Sequence, residues 1–245
     1  MDNEIKQQII YGRNAVCEAL SSDKEIDTVF VQKGISVGNI VFLAKQRGTV
    51  VKEVTSEKLT ALTGTTKHGG TAAELCMCRY AELEDILEVS RSKGTKPFIV
   101  IADEIADPHN LGAIIRTAEA AGADGVIIPK RRSASLNSTV FKTSAGAASW
   151  IKVARVSNLV DTIKKLKSEN IWVYGMEADG RRFDETDFSG GCAIVVGSEG
   201  FGLGRLVRES CDEIVSLPMF GKVNSLNASV SAGILMYEVV KSRLK

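Results

Sequence analysis

The second part of the chain alternates short apolar runs with segments of helical periodicity, and this alternation constrains the fold most. Six candidate strands are almost continuously apolar: PFIVIAD, GVIIP, IKVARV, IWVYGME, CAIVVGS and EIVSLP. The helical segments between them cover residues 110–121, about 137–148, 157–169, 204–210 and 225–243. Strands that are apolar on both faces are typical of a parallel sheet covered by helices. From Pro97 onward we therefore predict an α/β fold.

Residues 1–78 form a smaller block with its own alternation of elements. The order α-β-α-β-α-β is predicted from GRNAVCEAL, DTVFVQ, SVGNIVFLAKQRG, TVVKEVT, SEKLTAL and GGTAAELCMC. Residues 79–96 are charged and weakly helical, and they end in Ser-Lys-Gly-Thr-Lys. Because such composition is typical of a boundary between domains, we interpret 79–96 as a linker between domains 1–78 and 97–245.

Composition excludes several classes of protein. The net charge of +1 does not indicate a polyanion partner, so nucleic-acid contacts must depend on local patches. The N-terminal MDNEIKQQII lacks a long apolar core, and no apolar run approaches the roughly 20 residues that span a bilayer. We expect a cytoplasmic protein without membrane contact. Five cysteines without a CxxC pair and only two histidines predict no metal site.

Parallel sheets bind ligands beyond the carboxyl ends of their strands. This rule selects four loops: DPHN, PKRRS, GSEGFG and PMFGKVNS. The third belongs to GSEGFGLG, residues 197–204, whose four glycines let backbone come close to a ligand. The pattern is neither GxGxxG nor a Walker loop. Glu199 would repel phosphates, so the loop suits a ligand with a cation or hydroxyl groups; the alternative is a tight strand-to-helix turn.

The last loop opens the C-terminal helix. We predict that the helix begins near Ser225, with Asn224 or Ser225 as an ordinary N-cap, and this capping is an alternative to a role in a site. Small and apolar residues occupy nearly every side of the helix that follows. Such a helix is buried either in its domain or in a subunit interface.

One arginine in DPHNLGAIIRTAEA has unusual surroundings. We predict a helix that begins near Asn110, with Asn110 as its cap. Arg116 lies about 140° from the centre of the apolar stripe. Its neighbours on that side are small: Gly112, Ala113 and Ala120. A ligand could approach there, and the planar guanidinium suits a phosphate; the alternative is a solvated arginine paired with Glu119.

Two groups of residues are candidates for nucleic-acid contact. Lys130, Arg131 and Arg132 follow the carboxyl end of a strand, where they could meet phosphates. In the first block, Arg13 and Asn14 lie at a helix start and His68 lies in a glycine-containing loop. Each residue of this second group could equally be a cap or part of a turn.

Three stretches together carry a resemblance to a known family. They are DEIADPHNLGAIIRTAEAAG, IVVGSEGFGL and LPMFGKVNSLNASVSAGILMYE. In this order and at roughly these spacings they resemble the three motifs of the SpoU family of RNA ribose 2′-O-methyltransferases, over about residues 97–245. The first block, with YGRNAVCEAL and HGGTAAE, resembles the small L30-like α/β domain that binds substrate in members that methylate a guanosine of 23S ribosomal RNA. FKTSAGAAS at 141–149 also resembles that subgroup.

The resemblance implies more than the residue patterns do. It implies a deep trefoil knot in the parallel-sheet domain, S-adenosyl-L-methionine bound in that knot, and a homodimer with the site near the interface. The catalytic positions that it implies are Asn110, Arg116, Glu199, Ser225 and Asn227. The implied cofactor-binding positions are Gly197, Ser198, Gly202, Leu217, Met219 and Leu226.

The expected reaction is therefore transfer of a methyl group to the 2′-hydroxyl of a guanosine in 23S ribosomal RNA. A transfer RNA guanosine, a ribosomal RNA adenosine and a non-catalytic RNA-binding module stay open as alternatives. A nicotinamide-dependent oxidoreductase would need GxGxxG after the first strand of the sheet, and DPHNLG does not provide it. Because an arginine side chain stays protonated at neutral pH, we expect Arg116 to bind a phosphate and stabilise developing alkoxide charge rather than act as a base.

Overall fold

The computed structural model describes residues 9–244, which divide into two compact units. The first unit contains the chain up to Arg79 together with Ser135–Ser138. The second unit contains Tyr80–Ala134 and the chain from Thr139 onward. Among residues 9–244, no helix combines the length and the apolarity that crossing a membrane requires.

The first unit is a small mixed sheet with helices on both faces. Its elements are β1 Ile9–Tyr11, α1 Arg13–Ser21, β2 Ile26–Gln32, α2 Gly38–Gln46, β3 Val50–Val54, α3 Ser56–Thr63 and β4 Thr71–Leu75. The strand order is β1-β4-β2-β3, with β2 and β3 parallel and the other pairs antiparallel. All six predicted elements are present in the predicted order, and the short strand β1 precedes them. The segment around Leu136 joins this unit through a hydrogen bond from Met77 N to Leu136 O of 3.0 Å.

The second unit is built on a six-stranded, entirely parallel sheet, which confirms the predicted α/β class. Its strands are β5 Phe98–Ala102, β6 Gly125–Pro129, β7 Lys152–Val156, β8 Trp172–Arg182, β9 Cys192–Val196 and β10 Glu213–Ser216. Its helices are α4 Leu83–Lys93, α5 Pro108–Ala120, α6 Ser138–Thr143, α7 Leu159–Ser168, α8 Arg205–Ser210 and α9 Ala228–Arg243, with single 3-10 turns at Ala147–Ser149 and Phe183–Glu185.

The interpretation of residues 79–96 as a linker is wrong. Helix α4 lies within this segment and buries Leu83, Ile86 and Leu87 against the core of the second unit. Asp85 accepts a hydrogen bond of 2.8 Å from Glu82 N at the helix start, and Gly94 ends the helix at φ 64°. The apolar residues recur at helical spacing, but the many charged residues of the opposite face obscured that stripe in the sequence.

The order of strands determines where a ligand can bind. The order is β10-β8-β9-β5-β6-β7, so the chain moves from β5 to β6 in one direction, while β9 lies on the other side of β5. Every residue of β5 and β9 is buried. Because these strands offer no exposed side chains, polar groups near them must come from the loops at their carboxyl ends. Those loops are 103–107 after β5 and 197–204 after β9.

Candidate active site

Three polar side chains from distant parts of the chain meet beyond the carboxyl ends of β5 and β9. Asn110 Nδ2 donates to Glu199 Oε1 at 3.0 Å, and Asn227 Nδ2 donates to Asn110 Oδ1 at 2.9 Å. Asn227 Nδ2 also donates to Glu199 Oε1, and the Ala228 N–H lies 3.4 Å from the same oxygen. The side chains of Asn110, Glu199 and Asn227 therefore form one closed hydrogen-bonded cluster, which we call the amide–carboxylate cluster.

Helix capping sets the orientation of the two asparagines, although not with the predicted caps. Helix α5 begins at Pro108, and its N-cap is Asp107, whose side chain accepts from His109 N at 3.0 Å. Asn110 therefore lies inside the first turn, with its amide available to Glu199. The prediction that Asn110 is the cap is wrong, because Pro at the first position with an Asx-type residue before it is the stronger start signal.

The C-terminal helix also begins later than predicted. Its N-cap is Asn227 rather than Asn224 or Ser225, and Asn227 Oδ1 accepts from Ser229 N at 2.9 Å. Because the cap uses the oxygen of the side chain, the Nδ2 group is left to donate toward Glu199. One residue thus both starts α9 and orients the cluster.

The glycine-rich loop is a tight hairpin. Ser198 N donates to Gly202 O at 3.1 Å and Gly202 N donates to Ser198 O at 3.0 Å, so Glu199 lies on a fixed turn. Gly200 and Gly202 have φ values of 86° and 66°, which favour glycine. A Cβ at Gly197 would lie 2.2 Å from Gly202 C. The loop is therefore the tight turn that the sequence offered as an alternative, and it also presents Glu199.

Two carboxylates hold the end of this hairpin. Asp103 Oδ2 accepts from Gly204 N at 2.8 Å, and Glu177 Oε1 accepts from Leu203 N at 2.6 Å. Burial raises the pKa of Asp103 above its ordinary value, against the opposing effect of its hydrogen bond from Gly204 N. Asp103 follows β5 and Glu177 lies in β8, so both neighbours of β9 in the sheet brace the loop that follows β9.

A cleft of ≈ 720 Å³ adjoins the cluster. All six residues predicted to bind a cofactor line it: Gly197, Ser198, Gly202, Leu217, Met219 and Leu226. Three of the predicted catalytic residues also line it: Glu199, Ser225 and Asn227. The structure thus gathers around one cleft residues that are far apart in the sequence.

The third wall of the cleft is formed by Met176, Glu177 and Ala178, which were not predicted as site residues. We predicted that the strand ends at residue 177, but β8 continues to Arg182. Its pairing with β10 shifts between Ile214 and Val215, from a partner at Gly175 to a partner at Arg181. Residues 176–180 therefore leave the regular ladder, and the first three of them line the cleft. The signal in the sequence was the polar residues EADG, which directly follow the apolar run.

Arg116 is not part of the amide–carboxylate cluster. It lies six residues after Asn110 on the same helix, which corresponds to about 9 Å along the axis. Its side chain is exposed, and it forms no ion pair with Glu119 or any other residue between 9 and 244. The alternative reading, a pairing with Glu119, therefore does not hold, and the guanidinium is accessible to a ligand.

The small residues beside Arg116 do not all leave room for a ligand. Gly112 is buried, and a Cβ there would lie 1.8 Å from Thr143 Oγ1 and 3.0 Å from Val140 O. Gly112 is thus needed for close packing of α6 against α5. Ala113 is half-buried and Ala120 is exposed, and their small side chains leave space for a ligand beside Arg116.

We predict that Gly112→Ala destabilises the second unit by about 1–3 kcal/mol, because α6 must shift to relieve the clash. Gly233→Ala in α9 is the matched control, since its Cβ would make an ordinary contact of 3.6 Å with Thr117 Cγ2. Urea unfolding followed by circular dichroism measures both variants. Equal stability of the two variants would contradict this packing role of Gly112.

The residues predicted to contact RNA differ in accessibility. Lys130, Arg131 and Arg132 are all exposed after the carboxyl end of β6, and Arg132 also forms an ion pair of 3.0 Å with Glu104. In the first unit, Arg13 and Asn14 are exposed at the start of α1. Arg13 Nε donates to Gly69 O at 3.3 Å, so it lies beside the glycine loop.

His68 does not fit the predicted contact with RNA. Its side chain is 3% exposed, Nδ1 accepts from Gly70 N at 3.1 Å, and Nε2 lies 3.4 Å from Thr60 Oγ1. Because both ring nitrogens have partners inside the first unit, His68 orders the loop rather than facing a ligand. The prediction failed because a histidine before two glycines gives no indication of burial in the sequence.

Comparison with known proteins identifies the class to which this fold and site belong. Residues 97–237 match the SpoU rRNA Methylase family, and residues 9–81 match the RNA 2′-O ribose methyltransferase substrate-binding domain. The chain therefore belongs to the SpoU family and is an RNA 2′-O-ribose methyltransferase.

Similar proteins cover almost the whole chain. YacO of Bacillus subtilis, assigned to the TrmH family of tRNA/rRNA methyltransferases, is 45% identical over 238 residues, which are 96% of this chain and 95% of YacO. The SpoU methyltransferase AviRb from Streptomyces viridochromogenes, solved with AdoMet, has a TM-score of 0.61 at 23% identity and covers 96% of this chain and 90% of its own. An AdoMet-bound rRNA methyltransferase from Sinorhizobium meliloti has a TM-score of 0.60 at 24% identity, with 97% and 88% covered. These two structures show the same fold.

Proposed function

We propose that this protein uses S-adenosyl-L-methionine to methylate the ribose 2′-hydroxyl of a guanosine in 23S ribosomal RNA. The observation that carries the proposal is the amide–carboxylate cluster of Asn110, Glu199 and Asn227 at the edge of the cleft. A transfer RNA guanosine and a ribosomal RNA adenosine are the alternative substrates. The choice of 23S ribosomal RNA is supported by the resemblance of the first block and of FKTSAGAAS to that subgroup.

The cleft fits the cofactor in size and in charge. Its volume of ≈ 720 Å³ lies within the range of about 300–1,000 Å³ that is typical of small-molecule sites. Glycines 197, 200 and 202 leave the backbone of one wall accessible, and Leu217, Met219 and Leu226 supply apolar surface. When bound, S-adenosyl-L-methionine supplies an electrophilic methyl group on a positively charged sulfur.

The residues of this chain would then align and activate the acceptor. Methyl transfer requires the 2′-oxygen to lie in line with the bond that breaks, so a rigid set of polar groups accelerates it. The shared hydrogen bonds to Glu199 fix both asparagine amides, which can orient a ribose hydroxyl. Ser225 lines the cleft without a hydrogen bond to any described residue, so its hydroxyl is available to a ligand.

We propose that Arg116 binds a phosphate of the RNA substrate. Its exposed guanidinium has no partner among residues 9–244, and it can bind a phosphate bidentately. A cation held beside the acceptor stabilises alkoxide charge as the hydroxyl loses its proton. Because an arginine side chain keeps its own proton at neutral pH, the proton of the ribose hydroxyl leaves to water or to the phosphate.

We also propose that two copies of the chain associate through α9. Val230, Ile234 and Tyr237 are 51%, 39% and 52% exposed, and their spacing of four and three residues places them on one face. Phe220 and Val223, in the loop before α9, are exposed as well. An apolar surface of this kind indicates a protein interface. Sedimentation equilibrium at micromolar concentration should give twice the monomer mass, and a monomer would refute the interface.

The first unit is proposed to bind the RNA, with Arg13 and Asn14 as contacts. We expect the double substitution Arg13→Ala, Asn14→Ala to weaken RNA binding about 3–10-fold and to leave cofactor binding unchanged, because charges at a helix start attract phosphates. Filter binding at fixed salt measures the RNA affinity, and Lys52→Ala is an exposed control in β3. Point substitutions are preferable to deletion of residues 1–78, which would remove the partners of buried Leu136. Unchanged RNA affinity in the double variant would exclude these contacts.

Methyl transfer tests the proposed function directly. The purified chain is incubated with S-adenosyl-L-methionine labelled in the methyl group and with 23S ribosomal RNA, 16S ribosomal RNA or bulk transfer RNA. We expect label in 23S ribosomal RNA, and mapping of 2′-O-methyl positions should find it on a guanosine. Label in transfer RNA or on an adenosine supports the corresponding alternative. Absence of label from all RNAs, despite binding of the cofactor, would overturn the assignment of the reaction.

A further inference from the structure

The charge of the cleft is unusual for a protein that acts on a polyanion. Glu177 and Glu199 both line it, and no lysine or arginine among residues 9–244 does so. Neither carboxylate forms an ion pair with any residue between 9 and 244, since their hydrogen bonds come from backbone amides and asparagines. The cleft therefore carries two uncompensated negative charges, which favour a ligand with a positive charge.

Glu199 already has a proposed role in the amide–carboxylate cluster. Glu177 braces the glycine hairpin but has no role yet in the proposed reaction. Its position is well defined. Leu203 N donates to Oε1 at 2.6 Å, and a Cβ on Gly202 would lie 2.4 Å from Oε1 and 2.9 Å from Oε2. The carboxylate thus lies directly against the glycine hairpin. The next acid along the chain, Asp179, is paired with Arg208 at 2.9 Å, so Glu177 is the acid of this wall whose charge is not offset.

Methyl transfer changes the charge of the cofactor. The bond from sulfur to the methyl group breaks, the bond from the 2′-oxygen to the methyl group forms, and the hydroxyl proton leaves. S-adenosyl-L-methionine has a sulfonium, whereas the product S-adenosyl-L-homocysteine has a neutral thioether and is otherwise the same molecule. A negative cleft therefore attracts the substrate more strongly than the product.

We propose that Glu177 makes the cleft select the sulfonium form of the cofactor over its thioether product, which favours release of the product after each transfer. The inference rests on the proposed cofactor. One unit of charge that faces the sulfonium across a solvent-screened cleft is expected to change the affinity about fivefold. Glu177 is thus a determinant of substrate over product, separate from the residues that orient the ribose.

Calorimetric titration of Glu177→Gln with three ligands tests the proposal. Glutamine retains an oxygen that can accept from Leu203 N but removes the charge. We expect the Kd for S-adenosyl-L-methionine to rise about fivefold, and likewise for sinefungin, in which a protonated amine replaces the sulfonium. The Kd for S-adenosyl-L-homocysteine should change less than twofold. Glu88→Gln, which removes an exposed carboxylate on α4 away from the cleft, should change none of the three.

The possible outcomes separate this inference from the proposed function. Equal weakening of all three ligands, or no change in any, would overturn the role of Glu177 and leave methyl transfer to RNA unaffected as a proposal. Selective weakening of the two cationic ligands without any methyl transfer to RNA would support Glu177 and count against the function. A measurement on the wild-type chain is independent of the variant: raising the salt concentration should weaken binding of S-adenosyl-L-methionine more than binding of S-adenosyl-L-homocysteine. Equal salt dependence would also overturn the inference.

Discussion

Replacing Arg116 with alanine should reduce the rate of methyl transfer at least 10³-fold and leave the Kd for S-adenosyl-L-methionine within about twofold of wild type. A loss of 10³ corresponds to about 4 kcal/mol of transition-state stabilisation. This is the scale expected when a cation that faces developing negative charge is removed. The cofactor affinity should persist because Arg116 does not line the cleft. Single-turnover assays with labelled cofactor, together with calorimetry, measure the two quantities.

Two further variants sharpen the test of Arg116. Arg116→Lys keeps the charge but loses the planar guanidinium that binds a phosphate through two hydrogen bonds. We therefore expect an activity between that of Arg116→Ala and that of the wild type. Glu119→Ala lies three residues away on the same exposed side of α5 and should have wild-type activity. If Arg116→Ala weakened cofactor binding as much as catalysis, the residue would be supporting the cleft rather than contacting the RNA.

Replacing Glu199 with alanine should reduce the rate of methyl transfer about 10²-fold. Glu199 Oε1 is the acceptor that Asn110 and Asn227 share, so its removal frees both amides to adopt other orientations. A displacement of about 1 Å in a positioning group is sufficient for a loss of this size. Because Glu199 is exposed, we expect the fold to survive, which a thermal unfolding curve will show.

Glu199→Gln separates the hydrogen bonds of Glu199 from its charge. Glutamine retains one oxygen that can accept from both asparagines, so we expect a smaller loss, about tenfold. Glu209→Ala on α8 removes an exposed carboxylate that pairs only with Arg205 among the described residues, and it should have no effect on the rate. Equal losses in Glu199→Ala and Glu199→Gln would show that the charge, rather than the shared acceptor, is what the reaction requires.

Particular residues show how much of the structure could be predicted from the sequence. The alternation of apolar strands and helices was enough to predict the parallel sheet, because strands that are buried on both faces consist almost entirely of apolar residues. The ordered motifs also selected the residues that line the cleft on two of its walls. The third wall was missed, since Met176, Glu177 and Ala178 face the cleft only because β8 changes its partner register against β10. No local pattern records such a shift.

The burial of individual residues could not be predicted from the sequence either. His68 was predicted to contact RNA and is enclosed by the first unit, and Gly112 was expected to leave space that Thr143 in fact fills. The segment 79–96 was interpreted as a linker, whereas its helix belongs to the core. In each case the deciding contact comes from a residue distant in the sequence or from the hidden face of a helix.

The sequence by itself determined the class of fold, the family and the set of polar residues available for chemistry, because periodicity, glycine positions and motif order are local properties. Only the tertiary structure decided how these residues combine. Asn110, Glu199 and Asn227 are separated by 89 and 28 positions, and they meet because the loops after β5 and β9 are neighbours at one edge of the sheet and α9 begins beside them. The tertiary structure also leaves Arg116 exposed on the surface and places Glu177 in the wall of the cleft. Strand order and register are products of the whole packed sheet, so the chemistry of this site could be placed only after folding was known.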